Sequence, residues 1–267
     1  MTIFDKTKKH AAPEVWTLFS GSSGNSVYIK HGDTRVLIDV GMSASSMEKA
    51  LCEVGSSLRE INAAFITHEH SDHIRGIGVV TRRYNKEIEI HAASPTSNYI
   101  ECSSENLKTH APRYECCIGS LVISSFRTPH DSAMSVGYVI RSDDGFSVGV
   151  ATDLGCVTDD VLANLVRCGS VVIESNHDVD MLMRGTYPQS LKRRITSRNG
   201  HLSNADCSGL VCTLSRSGVE NILLAHLSPE NNKPALAFEA SASELERYNL
   251  RHTTVGVAAP YTPTRLI

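Results

Sequence analysis

Apolar residues fall in short runs along the chain, each about the length of a strand and each closed by glycine, serine or charged residues. EVWTLFS (14–20), SVYIKH (26–31) and RVLIDVG (35–41) read as successive strands in an antiparallel hairpin pattern, with GSSGN (21–25) as the first turn. SASSMEKALCEVG (43–55) opens on serine and closes on glycine, which predicts a capped helix. AAFIT (63–67) is a short apolar strand that runs straight into His68. RGIGVVTRRYN (75–85) predicts the next helix. Later strands are expected at 120–126, 135–142, 146–152, 170–175 and 221–226. No repeat, low-complexity tract or linker divides the chain. The pattern therefore predicts one α/β domain over 1–267, two sheets flanked by helices, with residues 1–13 as a loosely ordered extension. Histidines and carboxylates recur just past the strand ends, at His68, His130, Asp153, Glu174 and His226, where a rigid sheet can hold functional groups on loops.

Composition bounds the partners. The 267 residues are 41% hydrophobic and 21% charged, ordinary for a globular protein and enough for a sizeable core. The net charge of −3 gives no global basic field, so nucleic acid would have to be held by a local patch. The N-terminal stretch lacks the apolar core of a secretory signal, and no run of 18 apolar residues predicts a membrane span. The 8 cysteines include no CxxC pair, so they are expected to be reduced thiols filling the core of a cytoplasmic protein.

THEHSDH (67–73) changes the picture. It crowds three histidines, a glutamate and an aspartate into seven positions. Imidazole and carboxylate together suit Zn²⁺, Mn²⁺ or Fe. Alternate residues of an extended loop point the same way, so His68 and His70 can share one ion, while Asp72 and His73 turn toward a second. These residues cannot close two sites alone, and further ligands must come from elsewhere in the chain.

The motif and its sequel resemble the metallo-β-lactamase superfamily. After THEHSDH come TPHD with His130, ATDLG with Asp153 and LLAHLS with His226, in the order that family requires. The resemblance implies a four-layer αββα sandwich of two mixed sheets, with two divalent ions at one sheet edge. It implies His68, His70 and His130 on the first ion, Asp72, His73 and His226 on the second, and Asp153 bridging both. Asp39 in LIDVG would support the ligand loop from behind. SGSSGNSVYI (20–29), THEHSDHIRGIG (67–78), ATDLG (151–155), ESNHD (174–178), GHLSN (200–204) and LLAHLSPENN (223–232) together resemble the YycJ/WalJ-type branch, related to ribonuclease Z and other phosphodiesterases. That branch implies a 5′-to-3′ exonuclease acting on DNA. By the likeness to ribonuclease Z, Glu174 and His201 form a pair in which the carboxylate orients the imidazole to protonate a leaving oxygen. Asp72 joins them in catalysis. Only 73 residues separate Asp153 from His226, which excludes the large nucleic-acid-binding insert of some nuclease members.

Other candidates are weaker. His177 either lines the site or caps the helical DVDMLMRG segment. The loop holding Ser22, Ser23 and Asn25 either cradles a phosphate or is a tight hairpin turn. LKRRITSR (191–198), with Lys192, Arg193 and Arg194, is either a backbone-binding patch beside the metals or a solvated helix face, and TRRY (81–84) is a lesser basic candidate. His10, His31, His91, His110 and His252 fit no ligand position. Three functions are compatible: a dinuclear nuclease, a metallohydrolase of a small thioester, lactam or cyclic phosphodiester, and a non-hydrolytic metal protein. The redox form of the last would need carboxylates in place of some histidines and a flavin partner, neither of which the sequence offers.

Overall fold

The computed structural model describes residues 12–267, so the expected extension, and His10 with it, lies outside the described residues except at Ala12 and Pro13. Strands β1 (Glu14–Phe19), β2 (Ser26–His31), β3 (Thr34–Ile38), β4 (Ala63–Ile66), β5 (Glu89–Ala93) and β6 (Leu107–His110) build one sheet. β7 (Glu115–Ile118), β8 (Leu121–Arg127), β9 (Val136–Arg141), β10 (Ser147–Ala151), β11 (Ser170–Glu174), β12 (Asn221–Ala225) and β13 (Thr254–Val257) build the second. β14 (Thr264–Arg265) returns to the first sheet, whose order is β14-β1-β2-β3-β4-β5-β6, while the second runs β13-β12-β11-β10-β9-β8-β7. Both sheets are mixed. β1–β3 and β7–β10 are antiparallel meanders, and β3–β6 and β10–β13 run parallel.

Alternation along the strands makes the layers. Val15, Ile29, Val36, Ile38 and Phe65 face Ile123, Tyr138, Ile140, Val150 and Val172 in a core between the sheets. The intervening Tyr28, Leu37, Ala64 and Ile66 pack outward against Met47 and Leu51 of α1 (Ala44–Glu53). The second sheet turns Val171, Ile173 and Leu224 toward a helical layer. That layer includes α4 (Asp159–Leu165), α7 (Asn204–Arg216) and α8 (Pro234–Arg247). Shorter helices are α2 (Ser71–Ile74), α3 (Ile77–Val79), α5 (Val179–Arg184) and α6 (Gln189–Ile195). The result is the expected four-layer sandwich. Strands buried on both faces read as continuous apolar runs, which is why β4, β10, β11 and β12 stand out in the sequence.

The expected helix over 75–85 is broken. After α3 the chain widens into a π-helical turn at Val80–Tyr84. There Thr81 Oγ1 donates back to the carbonyl of Ile77, a bond that competes with the regular ladder. The cysteines are all free, but only Cys168, Cys207 and Cys212 are buried, and Cys52 and Cys117 are exposed. No described helix is long and apolar enough to cross a membrane.

Candidate metal centre

β3, β4, β10, β11 and β12 all deliver polar residues from their C-terminal ends to one edge of the sandwich. The chain strains to do so. Asp39, Asp153 and His226, each just past a strand, have left-handed φ values of 65°, 54° and 57°. A non-glycine backbone in this region usually marks a site where geometry has been favoured over comfort. Gly41 has a steric role: a Cβ there would run into the carbonyl of Asp72, so the turn after β3 can close on the ligand loop only with glycine.

Three imidazoles meet first. His68 Nε2 and His70 Nδ1 lie 3.0 Å apart, and His130 Nε2 lies 3.4 Å from His70 Nδ1. Tetrahedral bonds of about 2.0–2.1 Å to nitrogen place ligand atoms roughly 3.3 Å apart, so this trio has the spacing of a zinc-sized cradle. Thr67 Oγ1 contacts His68 Nδ1, and the Gly200 carbonyl accepts from His130 Nδ1. Burial holds both His68 and His130 below the ordinary histidine pKa, hence neutral, the form that binds metal.

A second group gathers Asp72, His73 and His226. His73 Nε2 is 3.5 Å from Asp72 Oδ2, and His226 Nε2 is 3.9 Å from the same oxygen. Asp153 stands between the groups, with Oδ2 3.1 Å from His73 Nε2 and Oδ1 3.7 Å from His130 Nε2. Asp39 accepts from the Thr67 N–H and hydroxyl and, at 2.7 Å, from His73 Nδ1, and so ties the end of β3 to the THEHSDH loop. Buried His226 Nε2 has no hydrogen-bond partner, and Asp153 Oδ2, though 3.1 Å from His73 Nε2, makes no well-aligned hydrogen bond. Orphaned buried atoms of this kind are costly, and a cation between them would satisfy both. The donor set thus fits divalent metal.

Glu174 does more than the sequence suggested. Its Oε1 accepts from His201 Nδ1 at 2.8 Å and also from His226 Nδ1 at 2.7 Å. Its Oε2 accepts from the N–H groups of Leu154 and Leu202. Burial pushes this carboxyl up, but His201, His226 and their hydrogen bonds outweigh it and bring it down to about 2. Burial likewise lowers His201, and Glu174 more than reverses it, so the imidazole is raised. With Nδ1 engaged, His201 has Nε2 left for other work.

The remaining candidates divide. Asn25 is no surface loop residue: its amide nitrogen reaches Asp72 Oδ2 at 3.2 Å and His73 Nε2 at 3.1 Å. Ser22 and Ser23 are exposed, and three N–H groups of their turn, on Gly21, Gly24 and Asn25, are spent inside the protein. His177 is buried with its Nδ1 unpartnered, and it is Asp178 whose side chain caps α5. Lys192 corrects the basic-patch expectation. It is buried, its ammonium donating to the carbonyls of Met183 and Gly185, and no phosphate can reach it. Arg194 is paired with Asp131, and Arg193 remains exposed. His31 and His91 are buried.

A family model described as a beta-lactamase superfamily domain matches residues 34–227. The chain is 33% identical over 234 residues to a Bacillus anthracis protein named exodeoxyribonuclease YycJ, covering 86% of this chain and 88% of the relative. It is 34% identical over 240 residues to a Streptococcus pneumoniae protein named exodeoxyribonuclease WalJ, covering 87% and 88%. In fold it resembles the metallo-β-lactamase fold protein YhfI of Bacillus subtilis, with a TM-score of 0.70 at 16% identity, covering 95% of this chain and 99% of that one. It also resembles the short form of human tRNase Z, with a TM-score of 0.63 at 15% identity and the same coverage.

Proposed function

The chain belongs to the beta-lactamase superfamily and is a metal-dependent hydrolase, and from that premise we propose that it is a dinuclear phosphodiesterase that degrades DNA from the 5′ end. One domain carries the activity in this reading. His68, His70 and His130 would hold one ion, Asp72, His73 and His226 the other, and Asp153 would touch both. Bound Zn²⁺ or Mn²⁺ would supply Lewis acidity toward the phosphoryl oxygens and a water acidic enough to attack. The chain's own contribution is a proton. His201, held through Nδ1 by buried Glu174, would donate from Nε2 to the departing alkoxide. That pair is the observation that carries the reading, because a sugar oxygen is a poor leaving group, whereas a thiolate departs without help. The relatives' names favour DNA as the polymer.

The test is one panel. Protein reconstituted with Mn²⁺ or Zn²⁺ is offered end-labelled DNA, RNA, bis-p-nitrophenyl phosphate and a thioester. Mononucleotides released from the DNA 5′ end are expected. Thioester turnover without phosphodiester cleavage would move the assignment to a small-molecule hydrolase that shares the metals and leaves Glu174 and His201 idle. Contact of the phosphates with exposed Arg193 and the bound ions should make DNA binding weaken with salt.

A further inference from the structure

Beside the metal centre lies a pocket that neither group of ligands uses. Residues 20–24 and 227–229, with Asn232, Pro260 and Tyr261, enclose about 200 Å³. Two of its walls are shared with the centre. Ser20 Oγ accepts from the His226 N–H at 2.7 Å. Asn25 bonds Gly21 on one side, through both its N–H and its carbonyl, and Asp72 on the other. A group in the pocket therefore lies one residue away from the metal donors.

The lining narrows what that group is. It contains no Arg, Lys, His, Asp or Glu, so a phosphate would find no countercharge. Its polar side chains are largely committed. Asn232 donates to the Ser175 and Asn176 carbonyls and accepts from Lys233, and Ser228 Oγ accepts from the Asn231 N–H. What remains is flat and apolar: prolines, Leu227 and the ring of Tyr261. The volume falls below the roughly 300–1,000 Å³ of sites for drug-sized ligands, which leaves space for one small ring system. Tyr261 is 62% exposed, an aromatic left in water at this pocket, with its hydroxyl donating to Ser23 Oγ at 3.0 Å.

We propose that the pocket takes the terminal nucleobase of the strand being cut, stacked on Tyr261; this rests on the nucleic-acid reading above. Stacking tolerates any base, because every base has a π-face, and a lining with few uncommitted polar groups suits an enzyme that must accept all four. Seating the end of the strand one residue from the metals positions the first phosphodiester for cleavage, and so selects ends over interior bonds.

The experiment pairs a change in the protein with a change in the substrate. Single-stranded DNA ending in thymidine is compared with the same strand ending in a tetrahydrofuran abasic site, using Mn²⁺-loaded wild-type protein, Tyr261→Ala and Tyr261→Phe. In wild type the abasic end should raise KM about 5- to 150-fold, the range of one base–aromatic stack, with kcat little changed. Tyr261→Ala should show a similar rise with the thymidine end and no further rise with the abasic one. Tyr261→Phe should discriminate as wild type does. Multiplying penalties would mean that ring and base never touch, and equal losses in Phe and Ala would assign the effect to the hydroxyl; either overturns the proposal. DNA cleavage indifferent to the end base overturns the pocket alone. Turnover of bis-p-nitrophenyl phosphate with no cleavage of either DNA overturns the nucleic-acid reading and the pocket with it.

Discussion

The two halves of the centre are built differently. His68 and His130 are backed by a hydroxyl and a backbone carbonyl, are kept neutral by burial, and stand ready for a cation. His73 and His226 are backed by the carboxylates of Asp39 and Glu174. Burial lowers their pKa, but Asp39 and Asp153 raise His73 well above the ordinary range, and Asp153, Asp72 and Glu174 carry His226 up to about 10. The second half is thus a set of paired charges, His73 and His226 against Asp39, Asp72, Asp153 and Glu174. In the two-ion reading proposed above, the first half would take its ion directly, and the second would exchange protons for metal.

Removing the residue common to both halves should have the largest effect. Asp153→Ala is expected to abolish turnover and deplete both ions while circular dichroism stays native; elemental analysis with an activity assay checks this, and full metal retention would remove Asp153 from the bridging role. Next comes the group outside both halves. His201→Ala should keep both ions and lose roughly 10²–10⁴-fold on DNA, the usual worth of a general acid, with a much smaller loss on bis-p-nitrophenyl phosphate, whose leaving group needs no proton. Equal losses on the two substrates would make His201 structural or a ligand.

Changing the backing carboxylates sharpens the contrast further. Asp39→Asn and Glu174→Gln should each weaken the second ion about 10- to 100-fold and leave the first nearly unchanged, read by competitive chelator titration. Glu174→Gln should in addition slow DNA cleavage at saturating metal, because it also orients His201. The smallest effect is on stability. The folded pKa of His226 lies above the unfolded value of about 6.5, so its contribution to the metal-free protein is complete below pH 6.5 and is lost as pH rises through about 10. The Tm of chelated protein should fall across that window, affinity for the second ion should rise across it, and His226→Gln should flatten both.

The sequence exposed the centre more fully than the frame around it. The candidate ligands clustered in THEHSDH could be read locally, and those placed just past apolar strands came from the order that the family resemblance implies. Glu174 holding His226 as well as His201 could not be read that way, because β11, β12 and the loop before α7 bring those residues together only in three dimensions. Nor could the burial of Lys192, which sits among basic neighbours yet folds its ammonium onto two carbonyls. α7 escaped because Gly209, cysteines and serines dilute its apolar face, although Cys207, Leu210, Val211 and Leu214 keep the helical spacing. α8 did carry a signal, a proline at its first turn. β5 and β6 are hidden by their polar residues, Glu89 and His91 in one and Lys108, Thr109 and His110 in the other, which break the apolar run.

The left-handed backbone at Asp39 and Asp153 carries a consequence for how such a protein decays. Glycine adopts that conformation without the penalty a side chain incurs, and every aspartate codon lies one base change from a glycine codon. An Asp153→Gly lineage would lose the shared carboxylate and relax a strained turn in a single step. The turn would gain ease, but Asp153 is a counter-charge of buried His73 and His226, and its loss would leave those imidazoles short of one. The strained backbone is therefore kept by the charges it places as well as by the chemistry it serves, so a glycine descendant would have to lose the histidines too before its fold recovered.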